Sequence, residues 1–221
     1  MAMLGLFNKN CVNVAAHDPK FPAPISSPRY PKQERGVCII VGTHPCVNAD
    51  VDAALAKYPN ASICAVNEAT ALVPADHVAT CHGEKIAHFL QMHEDVWDDV
   101  AYPLPVVHIR NAPEADGIRA PLYRWDMNYG GGSAIFAAGV MVEIGFDLVV
   151  LAGCPIDGGG GYALKTNAGT PHDPRLGFMH DGHTMVEAWQ HSIRSLKENA
   201  PAVADKIRSM SGFTKEVFGG I

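Results

Sequence analysis

Two histidines around residue 180 are the side chains best suited to acid–base chemistry. His180 and His183 lie at the end of a glycine-rich, polar stretch, residues 158–182. An unperturbed imidazole titrates near neutral pH, so either ring can act as a general base toward a hydroxyl group. The stretch is too long for a plain connection and is typical of a lid that closes over a substrate.

The same stretch also offers an alternative, a metal site. Its candidate ligands are His172, Asp173, His180 and His183. No His-Glu-x-x-His pattern accompanies them, and no distant pair of ligands matches their spacing. We therefore expect no metal ion here.

Phosphate binding is a second chemistry, indicated by the turn Gly42–Asn48. The turn leaves a short apolar run and opens a predicted helix, so backbone N–H groups and the helix dipole face any anion placed there. Thr43 and His44 can add side-chain donors. The turn contains neither the G-x-G-x-x-G pattern nor the P-loop pattern, and an ordinary strand-to-helix turn explains it equally well.

Two further polar positions follow apolar segments or open a helix. Asn67 comes directly after the second apolar run, where its amide can pair with a nucleobase or ribose edge, or cap a turn. Gly130–Gly132 and Ser133 open a later helix. Three glycines allow a ligand to approach the backbone, and the serine can cap the helix or bind that ligand. The glycines also fit a plain flexible turn.

Alternating strands and helices must position these residues. Short apolar runs predict buried strands, and segments with helical spacing separate them. The predicted strands are 37–41, 62–66, about 77–80, 106–109 and 148–151, and the predicted helices are 48–57, 84–96, about 133–144 and 184–199. Asn48 is the expected cap of the first helix, residues 111–128 are expected to be irregular, and a short strand and helix are expected within 207–218.

Uniformly apolar strands between helices predict a single Rossmann-like α/β domain, residues 36–221, with a mostly parallel sheet and helices on both faces. Ligands of such sheets bind outside the carboxyl ends of the strands, near the point where the strand order reverses. Residues 1–35 are rich in proline and predict an extended arm. The arm either lies across the domain, reaches a neighbouring subunit in a homo-oligomer, or is partly disordered.

Charge and composition exclude several classes of protein. The 221 residues carry a net charge of −6 without a run of Lys or Arg, which argues against nucleic acid and anionic membranes as partners. No stretch of about 18 apolar residues predicts a membrane span, and the N-terminus lacks the features of a secretory signal. Six cysteines without a CxxC pair predict reduced thiols and a cytoplasmic location.

The order of features from Ser133 to Tyr162 resembles a known family. A small-residue turn, an alanine-containing helix, Gly145, a strand and a glycine-rich loop follow one another there. This order is similar to that of the small bacterial sialyltransferases of glycosyltransferase family 42. It is also similar to the related MptE-like proteins, which include an archaeal 6-hydroxymethylpterin diphosphokinase and phage chains. The resemblance covers about residues 36–190, and further features agree in order: Gly42, Pro45, Asn67 and a histidine ahead of residues 187–189.

The resemblance implies an enzyme that binds a nucleotide or nucleotide-sugar of the CMP-sialic acid type and transfers the sugar to a hydroxyl acceptor. It implies no required metal or cofactor. The implied catalytic residues are a histidine base, His180 or His183, and Tyr162, which would assist the departing phosphate. The implied nucleotide-binding residues are Gly42, Thr43, His44, Asn67, Gly132, Ser133 and Asp157. The sequence departs from the family at His44, where a glycine is usual, and at Asp157, which follows its strand two residues late.

Two other functions fit the same residues. One is an ATP-dependent diphosphokinase, as in the pterin branch, which needs Mg²⁺ between the phosphates and carboxylates such as Asp157 or Asp173 to hold it. The other is a non-catalytic structural or assembly protein that keeps the fold and uses its proline-rich arm to reach its neighbours.

Overall fold

The computed structural model describes residues 34–97, 103–110, 118–126, 132–157, 179–180 and 183–221, with the side chains of 179–185 outside the description. Short 3-10 helices span Asn67–Ala71 and Gly83–Lys85. In chain order the other elements are β1 (Val37–Val41), α1 (Val47–Lys57), β2 (Ser62–Val66), β3 (His77–Thr80), α2 (Ile86–Trp97), β4 (Val106–Arg110), β5 (Leu122–Trp125), α3 (Gly132–Glu143), β6 (Leu148–Ala152), β7 (Met179–His180), β8 (His183–Thr184), α4 (Met185–Asn199), α5 (Pro201–Ala204), β9 (Ile207–Ser209) and α6 (Gly212–Phe218).

Seven strands form one parallel sheet in the order β5-β4-β3-β2-β1-β6-β9, and β7 and β8 form a separate antiparallel hairpin. The predicted α/β, Rossmann-like fold is therefore confirmed. From β1 the chain moves outward strand by strand to β5, and then returns to the other side of β1 to form β6. The strand order thus reverses between β1 and β6, which makes their carboxyl ends the switch point of the sheet.

Helices cover both faces of the sheet, which explains why the strands are apolar throughout. Side chains alternate between the two faces of a strand, and in β1 both sets are buried. Cys38 and Ile40 pack on the face covered by α3, α4 and α6, whereas Ile39 and Val41 pack on the face covered by α1 and α2.

The prediction that residues 111–128 are irregular is wrong, because β5 lies within them. Leu122–Trp125 pairs in parallel with β4 at the edge of the sheet. Tyr123 and Trp125 belong to the core on the α3 face. Arg124, which lies between them in the sequence, is also buried. A buried arginine in the middle of a four-residue run interrupts the apolar pattern by which the other strands were predicted.

Two helix starts also differ from expectation. Asn48 does not cap the first helix, since α1 begins at Val47 and Cys46 precedes it. The second predicted helix opens as the 3-10 turn Gly83–Lys85 before α2 begins. Residues 1–33 of the predicted arm, and 158–178 and 181–182 of the predicted lid, lie outside the described residues. Within the described part, no helix is long and apolar enough to cross a membrane.

Candidate functional site

The carboxyl ends of the parallel strands form one rim, and the predicted nucleotide-binding residues lie along it. Gly42 follows β1, Asn67 follows β2, and the segment Gly153–Asp157 follows β6. Gly132 and Ser133 begin α3. Because α3 leads into the amino end of β6, its own first turn lies at the opposite, carboxyl edge of the sheet.

Gly42 makes room for the end of the neighbouring strand. Its N–H donates to Ala152 O at 2.9 Å, and a Cβ at Gly42 would lie 2.5 Å from both Gly153 O and Cys154 Sγ. Gly153 has a φ of +65°, and a Cβ there would lie 2.8 Å from Val47 Cβ. The packing of the ends of β1 and β6 therefore requires Gly42, and the packing of α1 against the end of β6 requires Gly153, whether or not a ligand binds.

His44 caps α1 from within the protein. Its Nδ1 accepts a hydrogen bond from Cys46 N–H at 3.3 Å, and its carbonyl accepts one from Val47 N–H at 2.9 Å. Its own N–H donates to Gly153 O at 3.1 Å. The N–H groups of His44, Cys46 and Val47 thus already have partners, which leaves fewer backbone donors in this turn for a phosphate. Within the described part of the chain, Thr43 keeps a hydroxyl without a hydrogen-bond partner.

Asp50 places a carboxylate at the switch point. Its Oδ2 accepts hydrogen bonds from Gly153 N–H at 2.9 Å and Ser211 Oγ at 2.7 Å, and the Cys46 thiol lies 3.2 Å away. Only 8% of Asp50 is exposed. This carboxylate occupies the position between β1 and β6 where such sheets hold anionic ligands, and its charge would repel a phosphate there.

Asn67 is held in a left-handed backbone conformation, and its side-chain amide is fixed by Thr80. It has a φ of +54°, which is uncommon for a residue other than glycine but tolerated by asparagine. Its Oδ1 accepts a hydrogen bond from Thr80 Oγ1 at 2.7 Å, and Thr80 Oγ1 accepts one from His82 N–H at 2.9 Å. Since Oδ1 is engaged, the Nδ2 group is the free donor, and it has no partner among the described residues.

The Gly132–Ser133 turn lies against the end of β3. Gly132 has a φ of +77°, which only glycine adopts readily. The predicted cap by Ser133 is replaced by another bond, in which Ser133 Oγ accepts from Cys81 N–H at 3.0 Å. The first turn of α3 contains no acidic residue. Ser133, in the first turn of α3, and Asn67 therefore both bond to the end of β3.

The start of α4 contacts both sides of the rim. A Cβ at Gly132 would lie 3.4 Å from Trp189 Cε2, and Gln190 Nε2 donates to Ile156 O at 2.9 Å. The hairpin that pairs His180 with His183 leads directly into α4, about one turn before Trp189. The backbone of the two histidines thus enters on the same edge of the sheet as the glycine turns.

Asp157 faces the first turn although it follows β6 two residues late. Its Oδ1 lies 4.0 Å from His44 Nε2, which is within the range of an ion pair. Ile156, just before it, has a φ of +52°. A β-branched residue in this region is strained, and such strain persists where the surrounding structure fixes it, often at functional sites.

Several predicted residues cannot be placed. Tyr162, His172 and Asp173 lie outside the described residues, and so do the side chains of His180 and His183. Among the side chains that are described, no group of three or more His, Cys, Asp or Glu residues could hold a metal ion.

Three residues of the rim were not predicted as part of the site: Asp50, Trp189 and Ser211. The sequence contained a signal for the place of Asp50 in the site, because Asp50 is an acidic residue in the first turn of the helix that follows the candidate phosphate turn. Ser211 had none. Its place depends on the pairing of β9 with β6, which brings together residues that are far apart in sequence.

A pocket of about 330 Å³ lies away from this rim. It is lined by Ala87, Leu90, Gln91, Glu94, Leu104, Ile118, Arg119 and Ala120. Residues 104 and 118–120 precede β4 and β5, so the pocket lies toward the amino ends of the strands. It shares no residue with the predicted site.

A scan against protein-family models and a search of curated proteins find no match to the chain.

Proposed function

We propose that the chain binds a nucleotide-activated sugar at the rim between Asn67 and the first turn of α3, and transfers the sugar to a hydroxyl acceptor. The contact between Trp189 and Gly132 carries this proposal. Trp189 lies on α4 about one turn after the histidine hairpin, so this contact supports a position of the hairpin near the helix start best suited to a phosphate. A general base and an anion site then belong to one pocket.

The charge distribution favours α3 over α1 as the phosphate site. At the N-terminus of α1, His44 accepts hydrogen bonds from the N–H groups of Cys46 and Val47, and Asp50 lies in the first turn. The N-terminus of α3 has a glycine at positive φ and no acid in its first turn. A helix dipole attracts an anion only where the N–H groups are available and no carboxylate competes. We therefore place the phosphate at Gly132–Ser133.

Asn67 supplies the donor for the nucleoside. Its Nδ2 group points away from the Thr80 bond that fixes the amide, and it follows the strand next to β3. A nucleobase or ribose edge offers the acceptor oxygen or nitrogen that such a group requires. Because Ser133 is tied to the end of β3 as well, the two ends of a nucleotide would meet donors on either side of that strand.

The transfer needs one proton removed and one leaving group stabilised. His180 or His183 takes the proton from the acceptor hydroxyl, and the acceptor oxygen attacks the anomeric carbon of the sugar. The bond to phosphate breaks, and its electrons leave with the phosphate oxygen. Backbone N–H groups at the start of α3 then stabilise that oxygen, so the reaction requires no metal. Tyr162 enters this account only through the family resemblance.

The first experiment is a thermal-shift measurement of the full chain with CMP, CDP, UDP, GDP and ATP, each with EDTA and with Mg²⁺. We expect a cytidine nucleotide to raise Tm equally in both conditions, and the corresponding CMP-sugar to be turned over. Stabilisation by ATP only with Mg²⁺ would instead favour a diphosphokinase. If none of the five nucleotides raises Tm, the chain does not bind nucleotides and the proposal fails.

A further inference from the structure

Three side chains around the start of α1 lie next to one another in series, and the proposed sugar transfer does not use them. Cys46 Sγ lies 3.1 Å from His44 Nδ1, and His44 Nε2 lies 4.0 Å from Asp157 Oδ1. Cys46 is partly exposed, and so are the other two side chains. A thiol, an imidazole beside it and a carboxylate behind the imidazole are a nucleophile, its base and the group that orients the base.

The hydrogen bonds define which nitrogen of His44 is the base. Nδ1 accepts from Cys46 N–H at 3.3 Å, so in the neutral ring the proton is on Nε2. Nε2 is the atom that faces Asp157. The Cys46 sulfur lies 3.1 Å from the same nitrogen, so the thiol is a second group within reach of this lone pair, and the carboxylate stabilises the imidazolium that forms when Nδ1 takes the thiol proton.

Asp157 is held in place by a strained segment. Ile156 adopts a φ of +52°, and its carbonyl is fixed by Gln190 Nε2 at 2.9 Å. Glycine would relieve this strain, but it would also loosen the direction in which the next side chain leaves the backbone. The fold thus maintains an unfavourable backbone conformation immediately before the carboxylate that faces His44.

The thiol does not ionise easily without help. Burial raises the pKa of Cys46; the hydrogen bond to Ser211 lowers it, and the bond that the thiol donates to Asp50 Oδ2 at 3.2 Å raises it. Its reactivity must therefore depend on the base beside it. The other described cysteines have no such base. Cys38, Cys64 and Cys154 are fully or almost fully buried, and burial also raises the pKa of Cys81.

We propose that Cys46 is a site of covalent modification by low-molecular-weight disulfides, with His44 as its base and Asp157 as a positioning residue. His44 Nδ1 takes the thiol proton, and the Cys46 sulfur attacks one sulfur of the disulfide. The disulfide bond breaks, and the departing thiolate takes the proton back from His44. Cys46 thiol and disulfide RSSR thus give a mixed disulfide and one free thiol RSH. This proposal does not depend on nucleotide binding.

The test uses the full-length protein with oxidised glutathione and, for rates, an aromatic disulfide. We expect one fast-reacting thiol, identified as Cys46 by peptide mass, that is lost in Cys46→Ser. His44→Gln keeps an acceptor for Cys46 N–H but not the imidazole, so the fast rate should fall about tenfold or more. Its pH–rate profile should become that of a simple thiol. Asp157→Asn should change the profile in the same direction by a smaller factor.

Cys11→Ser and Cys81→Ser are the matched controls, and each should keep the fast phase. The proposal is overturned if Cys46 reacts no faster than Cys81, or if His44→Gln retains the wild-type rate and pH profile while its thermal unfolding is unchanged. If His44→Gln unfolds, His44→Asn in the same assay decides the question. Nucleotide stabilisation of Cys46→Ser is measured separately, so that failure of the thiol proposal and failure of nucleotide binding are distinguishable.

Discussion

The hydroxyl of Ser211 donates to Asp50 Oδ2 at 2.7 Å, which ties the end of β9 to the first turn of α1. The same oxygen accepts from the N–H of Gly153 after β6. One buried carboxylate therefore joins three elements at the place where the strand order reverses. The crevice that usually receives an anion in this kind of sheet is occupied by an anion of the protein itself.

Asp50→Asn tests where the phosphate binds. Loss of the charge-assisted bonds to Gly153 and Ser211 should lower the free energy of unfolding by about 1–3 kcal/mol. If the phosphate lies at α3, the affinity for nucleotide should change by less than about twofold, a few tenths of a kcal/mol. Calorimetric titration and urea unfolding measure the two effects. Tightening by about tenfold would instead place the phosphate beside residue 50, because a repulsive charge would have been removed.

Asn67→Asp should weaken nucleotide binding while preserving the fold. The carboxylate still accepts from Thr80 Oγ1, but it replaces the Nδ2 donor by a negative charge. We expect affinity to fall by about tenfold or more, since a lost donor leaves a ligand acceptor unpaired.

Asn60→Asp is the matched control for that change. Asn60 is exposed and precedes β2, so it lies at the opposite edge of the sheet. The substitution Asn60→Asp adds the same charge away from the site, so the affinity for nucleotide should be unchanged in the same titration. Equal affinities for the two variants would contradict the role given to Asn67.

His180→Gln and His183→Gln separate chemistry from binding. Substitution of the histidine that acts as the general base should reduce turnover of the nucleotide sugar by about 100-fold or more, with nucleotide affinity nearly unchanged. His191→Gln is the control, because His191 is exposed on α4. The measurement is kcat and KM for the three variants. Wild-type kcat in both hairpin variants would show that neither histidine is the base.

A buried histidine makes stability depend on pH. His108 is fully buried, its Nδ1 accepts from Trp125 Nε1 at 3.1 Å, and its Nε2 lies 3.1 Å from His77 Nδ1. Burial, and then the neighbouring His77, lower the pKa of His108 well below its usual value. The ring is therefore neutral in the folded protein, with its proton on Nε2, because the indole N–H can only donate.

The sign of the pH effect follows from this neutral ring. Below about pH 6.5 the unfolded chain binds a proton at His108 that the folded protein does not bind. The free energy of unfolding should decrease as the pH falls, by up to about 1.4 kcal/mol per pH unit for this proton, and should be flat above it. His108→Gln should lower stability at pH 7 by about 1–3 kcal/mol but reduce the slope below pH 6.5.

Urea unfolding between pH 5 and 8 measures that slope. His93, whose pKa burial also lowers, contributes to the slope that remains in the variant. His191→Gln should keep the full wild-type slope. An unchanged slope in His108→Gln would mean that this ring already takes up its proton in the folded protein.

The sheet could be predicted from local sequence, whereas much of the site could not. β1 and β2 are short apolar runs with both faces buried, and their bounds agree with the prediction. β5 was missed because Arg124 interrupts a short run at the edge of the sheet. Gly42 was interpreted as a ligand-binding glycine, but the neighbouring Gly153 requires it, and that neighbour depends on strand pairing across more than 100 residues.

The most direct test of nucleotide binding beside α3 is the fluorescence of Trp189, which lies against Gly132. Titration of the full chain with CMP should change the tryptophan emission, and Trp189→Phe should remove most of that change without loss of calorimetric affinity. Trp97→Phe should keep it. An emission change that persists in Trp189→Phe, or the absence of any change with a nucleotide that binds by calorimetry, would contradict a site at this helix start.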